Sequence, residues 1–384
     1  MNRRAALKSG TTAALGLVLG GCATRPAATV APVRAARPMV RLPRVHASLE
    51  RVIRTTVGLR PYRPSGFVLR AERLDDTTLV HNYGHGGAGW SLSWGTGLMA
   101  TELALETGHR RAVVIGAGVV GLTTALQLQR RGVDVTIYAA SLPPETTSNM
   151  ALAGFTPTSG LVNFATRSPA WEAQFRRAVT IAYRHWQLLV GPHWGVSWVP
   201  NYAPTDTAGS AAGANPLLPD EVRAARELLG PGEHPFPMTY AVRRDEMRFE
   251  PSIFLDAALR DFLVLGGRVV VRRFASLREV AALGAPVVVN CAGLGARDLV
   301  GDQELTPLRG QLVVLVPQPE VQYATNGGVR TDRNTPGGFL HMMPRSDGII
   351  LGGTSEEGEW SLEPDPAEIR RVVERHVELF DSMR

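Results

Sequence analysis

Residues 113–129 read VVIGAGVVGLTTALQLQ, an apolar strand that turns through three glycines into a helix. Few segments restrict a fold as strongly. In Gly116-x-Gly118-x-x-Gly121 the first glycine permits the tight turn, and the second lets a pyrophosphate approach the backbone. The third lets helix and strand pack closely. Phosphate charge then meets the free N–H groups and the positive end of the helix dipole. The following strand, VDVTIYAA, completes a βαβ unit of about thirty residues. The pattern predicts a dinucleotide, FAD or NAD(P), on Gly116, Ala117, Gly118, Val119, Val120 and Gly121; a glycine-rich packing turn is the plainer alternative. One part of the fingerprint is absent. Ala139, Ala140 and Ser141 stand where an acid normally meets the ribose hydroxyls. Either a later side chain or water serves the ribose, or cofactor affinity is reduced.

Composition removes several chemistries. Lys8 is the only lysine among 384 residues. The body therefore offers no Schiff-base lysine, no P-loop lysine and no Tyr-x-x-x-Lys pair. The net charge of +6 is concentrated in residues 1–44, which hold eight basic and no acidic residues. The remainder is nearly neutral, which argues against a nucleic-acid surface. The two cysteines, Cys22 and Cys291, suggest no disulfide, and the nine histidines show no metal-ligand spacing.

The first residues, MNRRAALKSGTTAALGLVLGGC, read as a secretory signal: a charged start, an apolar stretch and a small-residue end. Arg3-Arg4 resembles a twin-arginine export signal. Leu19-Gly20-Gly21-Cys22 resembles a lipobox, with Cys22 as the lipidated residue. The expectation is an exported, extracytoplasmic, membrane-anchored lipoprotein. A short transmembrane anchor, a chance arginine pair, or twin-arginine export with cleavage elsewhere are the alternatives. Residues 23–44, rich in Ala, Pro and Arg, read as a flexible tether.

Along the body, the apolar spacing of 45–57 fits a helix, and GLRPYRP after it reads as extended. Two short strands around a polar turn precede HNYGHGGAGWSLSWG at 81–95, and a helix follows from about Trp90 to Thr107. Helices are expected at 119–131, 170–195, 253–265, 276–282 and 366–380, with a polar loop over 204–216. Strands are expected at RVVVRRF, APVVVNCAG, QLVVLV and GIILGG.

These segments resemble the D-amino-acid oxidase family of FAD enzymes. VVIGAGVVGLTTALQL, YAASLPPETTSN, VNCAGLGA, LRGQ, MMPRSDGIILGGT, GLRPYRP and HNYGHGGAGWSLSWG carry the likeness, which spans nearly all of 45–384. The resemblance implies an α/β fold, with a Rossmann-like FAD-binding domain (63–160 and 250–308) and a mixed-sheet substrate-binding domain (45–62, 161–249 and 309–384). The order differs from the family's, which places GLRPYRP and HNYGHGG at its C-terminal end. Here that segment stands N-terminal to the glycine cluster, as in a circular permutation; an assembly artefact of the gene is the rival reading. TGHRR at 107–111 would then make the new junction.

Carried over residue by residue, the resemblance makes Arg60 the grip on the substrate carboxylate. Gly86, Gly87, Gly89, Trp90 and Ser91 would form the loop and helix start beside the flavin, where backbone N–H groups stabilise charge on the reduced ring. Gly87 is in this sense catalytic. Thr146, Thr147 and Ser148 would lie over the FAD phosphates, with Arg273, Phe274 and Asn290-Cys291-Ala292-Gly293 on the adenosine side. Cys291 by itself reads as a buried small residue rather than a nucleophile. The pattern departs from the family at two tyrosines of the substrate pocket: His341 replaces the carboxylate-binding one, and Gly337 falls where the mobile lid tyrosine would be. His341 can still donate to a carboxylate, with charge if protonated; a strand histidine pointing elsewhere is the alternative.

The implied reaction is hydride transfer from the Cα of a D-amino acid to FAD. It yields a 2-oxo acid and ammonia, with molecular oxygen reduced to hydrogen peroxide. A dehydrogenase passing electrons to quinone and a non-catalytic flavoprotein are the alternatives, and a homodimer is left open.

Overall fold

A computed structural model describes residues 37–211, 215–327 and 340–384, and within it Pro38–Arg384 makes one compact unit. Its first element corrects a sequence expectation. The 45–57 stretch is not a helix: after a short turn at Leu49–Arg51 it becomes strand β1 (Val52–Tyr62). Val52, Ile53, Thr55, Thr56 and Val57 are β-branched, which disfavours helix and suits a pleated surface. The hairpin β2 (Val68–Leu74) and β3 (Thr77–Tyr83) follows around Asp75-Asp76.

The chain then enters α1 (Gly89–Leu105), crosses to β4 (Arg111–Ile115), and runs through α2 (Val119–Gln129) to β5 (Asp134–Ala139). Helix α3 (Pro169–Leu188) starts under a Ser168 cap, and its buried Trp171, Phe175, Ala178 and Trp186 pack on the α1 side. It ends seven residues before the expected 195, at the turn made by Gly191-Pro192. Strands β6 (Val196–Thr205), β7 (Glu227–Leu229) and β8 (Tyr240–Phe249) follow, with β8 antiparallel between the other two. Beyond them come α4 (Pro251–Val264), β9 (Arg268–Val271), α5 (Leu277–Ala281), β10 (Val287–Asn290) and α6 (Ala296–Leu299). The chain closes through β11 (Thr306–Leu315), β12 (Ala324–Asn326), β13 (His341–Arg345), β14 (Gly348–Gly352), β15 (Glu356–Glu357) and α7 (Pro366–Asp381).

Two sheets organise these elements. One has the order β2-β3-β10-β4-β5-β9, with β2 antiparallel to β3 and the rest parallel. Helices α1 and α2 pack against one another, burying apolar residues around most of their circumference. The larger, mixed sheet runs β1-β11-β14-β13-β12-β6-β8-β7, with β15 beside β11. Its far face packs on α7 through Val372, Val373, Leu379 and Phe380.

The described part of the expected tether, 37–44, has no regular structure, but it is docked rather than free. Val40 and Leu42 pack onto the core that includes Val45 and α7, and Arg44 donates to the Met383 carbonyl. Apolar side chains spaced among its prolines explain the docking. Cys22 and the rest of the signal lie outside the described residues.

Candidate active site

One cavity of about 1400 Å³ joins the carboxyl ends of β4, β5 and β10 to the near face of the larger sheet. Such an edge is where parallel α/β sheets bind ligands. The volume exceeds what a drug-sized ligand requires, and its lining gathers most of the sequence-predicted residues. Gly116, Ala117, Gly118, Val119, Val120, Gly121, Thr146, Thr147, Ser148 and Arg273 share it with Gly86, Gly87, Gly89, Trp90, Arg60 and His341.

At one end the turn after β4 is built for close approach. Gly116 has φ +107°, and a Cβ there would lie 2.4 Å from the Cys291 carbonyl oxygen. A Cβ on Gly121 would lie 2.0 Å from the Gly116 carbonyl oxygen, so the third glycine sets the helix against the turn, as the motif predicts. Helix α2 has glycine at its N-cap and no side-chain cap there. The Val119 N–H donates to Ser148 Oγ at 3.0 Å, and a Cβ on Gly118 would crowd that hydroxyl. The remaining first-turn donors suit an anion.

Helix α1 opens onto the same cavity with a second N-terminus that lacks a side-chain cap or an acidic residue in its first turn. The preceding loop is fixed by backbone: the Gly87 N–H donates to the Gly160 carbonyl at 3.2 Å. A Cβ on Gly87 would sit 2.7 Å from the Ser159 carbonyl oxygen. Trp90 ties the two ends of the cavity together, donating from Nε1 to the Ser148 carbonyl at 3.0 Å. Two helix dipoles thus converge on one elongated space, which fits a dinucleotide with anionic character in its middle and at its ring end.

Two expected cofactor residues act from outside the lining. Ser91 is buried and accepts from the Thr156 N–H at 2.8 Å, so it pins a loop. Phe274 packs on Tyr138 under the Arg272 guanidinium. Ala139, Ala140 and Ser141 line the cavity as expected, and Glu145 is the nearest following acid to do so. Cys291 is unpaired and buried, which pushes its thiol up to about 12 and makes it no nucleophile.

Across the cavity, Arg60 lies over the LRGQ segment of β11. Nε donates to the Leu308 carbonyl at 2.9 Å. Nη2 donates to the Arg309 and Thr354 carbonyls and to Ser355 Oγ at 3.2–3.3 Å. A Cβ on Gly310 would lie 3.3 Å from Nη2, so that glycine makes the seat. Burial lowers the guanidinium to about 10, which leaves it cationic at neutral pH. No bond among the described residues uses Nη1.

His341 faces the same space from β13, its ring lying over Gly352 across the strand pair. Its protonated form is disfavoured. Burial, with His376 and Arg60 adding positive repulsion, lowers the imidazole to about 3, so it is neutral above pH ~4. It can meet a carboxylate only as a neutral donor. We expect His341→Gln to leave the shape of the kcat/KM profile between pH 5 and 7 unchanged. A wild-type step in that range that disappears in the variant would show that the ring titrates there. Gly337 lies outside the described residues.

Sequence reasoning missed the polar group beyond His341. Asn201, Arg244 and Glu246 line the cavity from β6 and β8. A lone asparagine within VSWVPNYAPT was the only hint.

Comparison with known proteins follows this geometry. A family profile described as DAO, FAD-dependent oxidoreductase, matches residues 9–103 and 111–383. A D-amino-acid oxidase of Rubrobacter xylanophilus is 32% identical over 283 residues, covering 71% of this chain and 78% of that protein. One from Streptomyces coelicolor is 33% identical over 285 residues, covering 72% and 79%. A D-aspartate oxidase of Homo sapiens is 28% identical over 278 residues, covering 71% and 76%. Among solved structures, an L-proline dehydrogenase from P. horikoshii superposes with TM-score 0.52 at 16% identity, covering 71% of this chain and 78% of that one. At that identity the likeness is one of fold.

Proposed function

Because the chain belongs to the DAO family of FAD-dependent oxidoreductases, we propose that it deaminates D-amino acids oxidatively and passes the electrons to oxygen. The observation that carries this reading is Arg60, a partly buried cation seated on carbonyls in the same cavity as two open helix N-termini. Arg60 binds the α-carboxylate, and neutral His341 adds a donor beside it. Gly116–Gly121 and Thr146–Ser148 hold the pyrophosphate, and the Gly86–Trp90 turn meets the ring end. FAD, when bound, supplies the acceptor for the Cα hydrogen and its electron pair. The amine enters without its extra proton, so no side chain need act as base; the site contributes alignment and charge stabilisation. The imino acid adds water and releases ammonia and a 2-oxo acid, and oxygen with two protons takes the two electrons as hydrogen peroxide. The relatives named as D-amino-acid oxidases support the D configuration.

The reading includes export and lipidation at Cys22, supported by the leader pattern. It also includes a permuted segment order. Residues 104–110, where the family match breaks, hold the end of α1 and its link to β4.

Mixing substrate-reduced enzyme with oxygen tests the acceptor. We expect rapid recovery of the oxidised flavin spectrum with one peroxide per turnover. Reduced flavin that persists in oxygen and recovers only with a quinone would replace the oxidase by a dehydrogenase.

A further inference from the structure

The near face of the larger sheet carries a polar cluster that neither cofactor binding nor the carboxylate grip uses. Strand register places it. His341 stands opposite Asn326, Ala324 stands beside Asn201, and Asn201 stands opposite Arg244. Asn201 is therefore two strands from His341 and offset by two residues. At about 4.8 Å per strand and 3.3 Å per residue, this is roughly 12 Å between backbones. Both side chains line the same cavity.

The cluster's polarity is fixed by its bonds. Asn201 Nδ2 donates to Glu246 Oε2 at 2.8 Å, and Arg244 Nη2 donates to the same oxygen at 3.0 Å. A carboxylate only accepts, so the amide nitrogen must face Glu246, and Asn201 Oδ1 is turned away. Asn201 is 4% exposed and Oδ1 has no hydrogen-bond partner. A buried acceptor left unmet is costly, so a ligand able to supply a donor there is favoured over one that is not. Arg244 is only partly buried and also lines the cavity. Glu246 and Arg244 offset one another in charge, and Asp245 and Arg226 add a further acid and base to the same lining. An acidic side chain would meet Glu246, and a basic one would meet Arg244. Arg223, which also lines the cavity, is exposed and paired with Asp220.

Resting on the D-amino-acid reading of this site, we infer that Asn201, Arg244 and Glu246 form a side-chain subsite for a neutral carboxamide. Oδ1 is closed to solvent, so the Asn201 side chain must turn toward the cavity for the substrate amide N–H to meet it; the amide carbonyl accepts from Arg244. D-Glutamine and D-asparagine are the fitting substrates. Their aliphatic and acidic isosteres each leave one partner unmet or repelled, and hydrogen-bonding sites reject such analogues strongly.

The test is kcat/KM of the flavin-loaded full chain for D-glutamine, D-asparagine, D-leucine, D-glutamate, D-aspartate and D-alanine, with wild type and Asn201→Leu. In wild type we expect a carboxamide to exceed its acidic and aliphatic counterparts at least tenfold. In Asn201→Leu the ratio of D-glutamine to D-leucine falls tenfold or more. Preference for D-aspartate or D-glutamate, or for D-leucine, overturns the subsite. So does an unchanged ratio in a variant that keeps its flavin. Should Asn201→Leu fail to fold, the wild-type ratios decide. Turnover of D-alanine without carboxamide preference sinks the subsite alone. If no D-amino acid reduces the flavin, the underlying reading fails and takes the subsite with it.

Discussion

Replacing Arg60 with alanine lowers kcat/KM for a D-amino acid by about a hundredfold or more, while the flavin is retained. A buried charge-assisted pair is worth several kcal/mol, and each 1.4 kcal/mol is a factor of ten. The effect falls first on KM, because the carboxylate loses the cation that grips it. It extends to kcat, because the same contact aligns Cα with the ring end of the cavity. Arg60→Lys recovers only part of the loss: an ammonium keeps the charge but cannot sit across the Leu308 and Arg309 carbonyls as the planar fork does. Flavin content and steady-state kinetics check this series. Unchanged kinetics in Arg60→Ala would remove the residue from the site.

The second large effect concerns cofactor retention. Gly116→Ala yields protein that purifies without bound flavin. The new Cβ would stand 2.4 Å from the Cys291 carbonyl oxygen, and backbone at φ +107° is strained for any L side chain. The clash falls where β4 meets β10, so the turn must shift away from its place beneath the pyrophosphate. The flavin-to-protein ratio after gel filtration reads the outcome directly. Stoichiometric flavin in a folded Gly116→Ala protein would show that the turn does not cradle the cofactor.

The two glycine-rich segments were legible because each answers a local backbone demand. Gly116, Gly118, Gly121, Gly86 and Gly87 stand where a side chain would strike a carbonyl or crowd a hydroxyl, and no other residue type meets that demand. Arg60 was legible within GLRPYRP, and LRGQ now explains itself as the seat of that arginine. The misreadings arose where distant partners decide the outcome. Residues 45–57 have helical apolar spacing, yet pairing of β1 with β11, some 250 residues away, makes a strand of them from Val52 onward. The proline-rich 37–44 looked free because its apolar side chains find their core only at α7. His341 lines the cavity, but its charge state depends on burial and on Arg60, neither of which is visible in a strand sequence. Asn201 acquires meaning only when β6 lies beside β8 and its amide meets Glu246.

The central claim is that one cavity holds FAD and, against Arg60, a D-amino acid. Anaerobic addition of individual D- and L-amino acids to the purified flavoprotein tests it most directly. The account predicts that D-amino acids bleach the visible flavin band, that their L enantiomers do not, and that Arg60→Ala needs far higher concentrations to do the same. A flavin spectrum left intact by every D-amino acid, or bleached equally by both enantiomers, would contradict it.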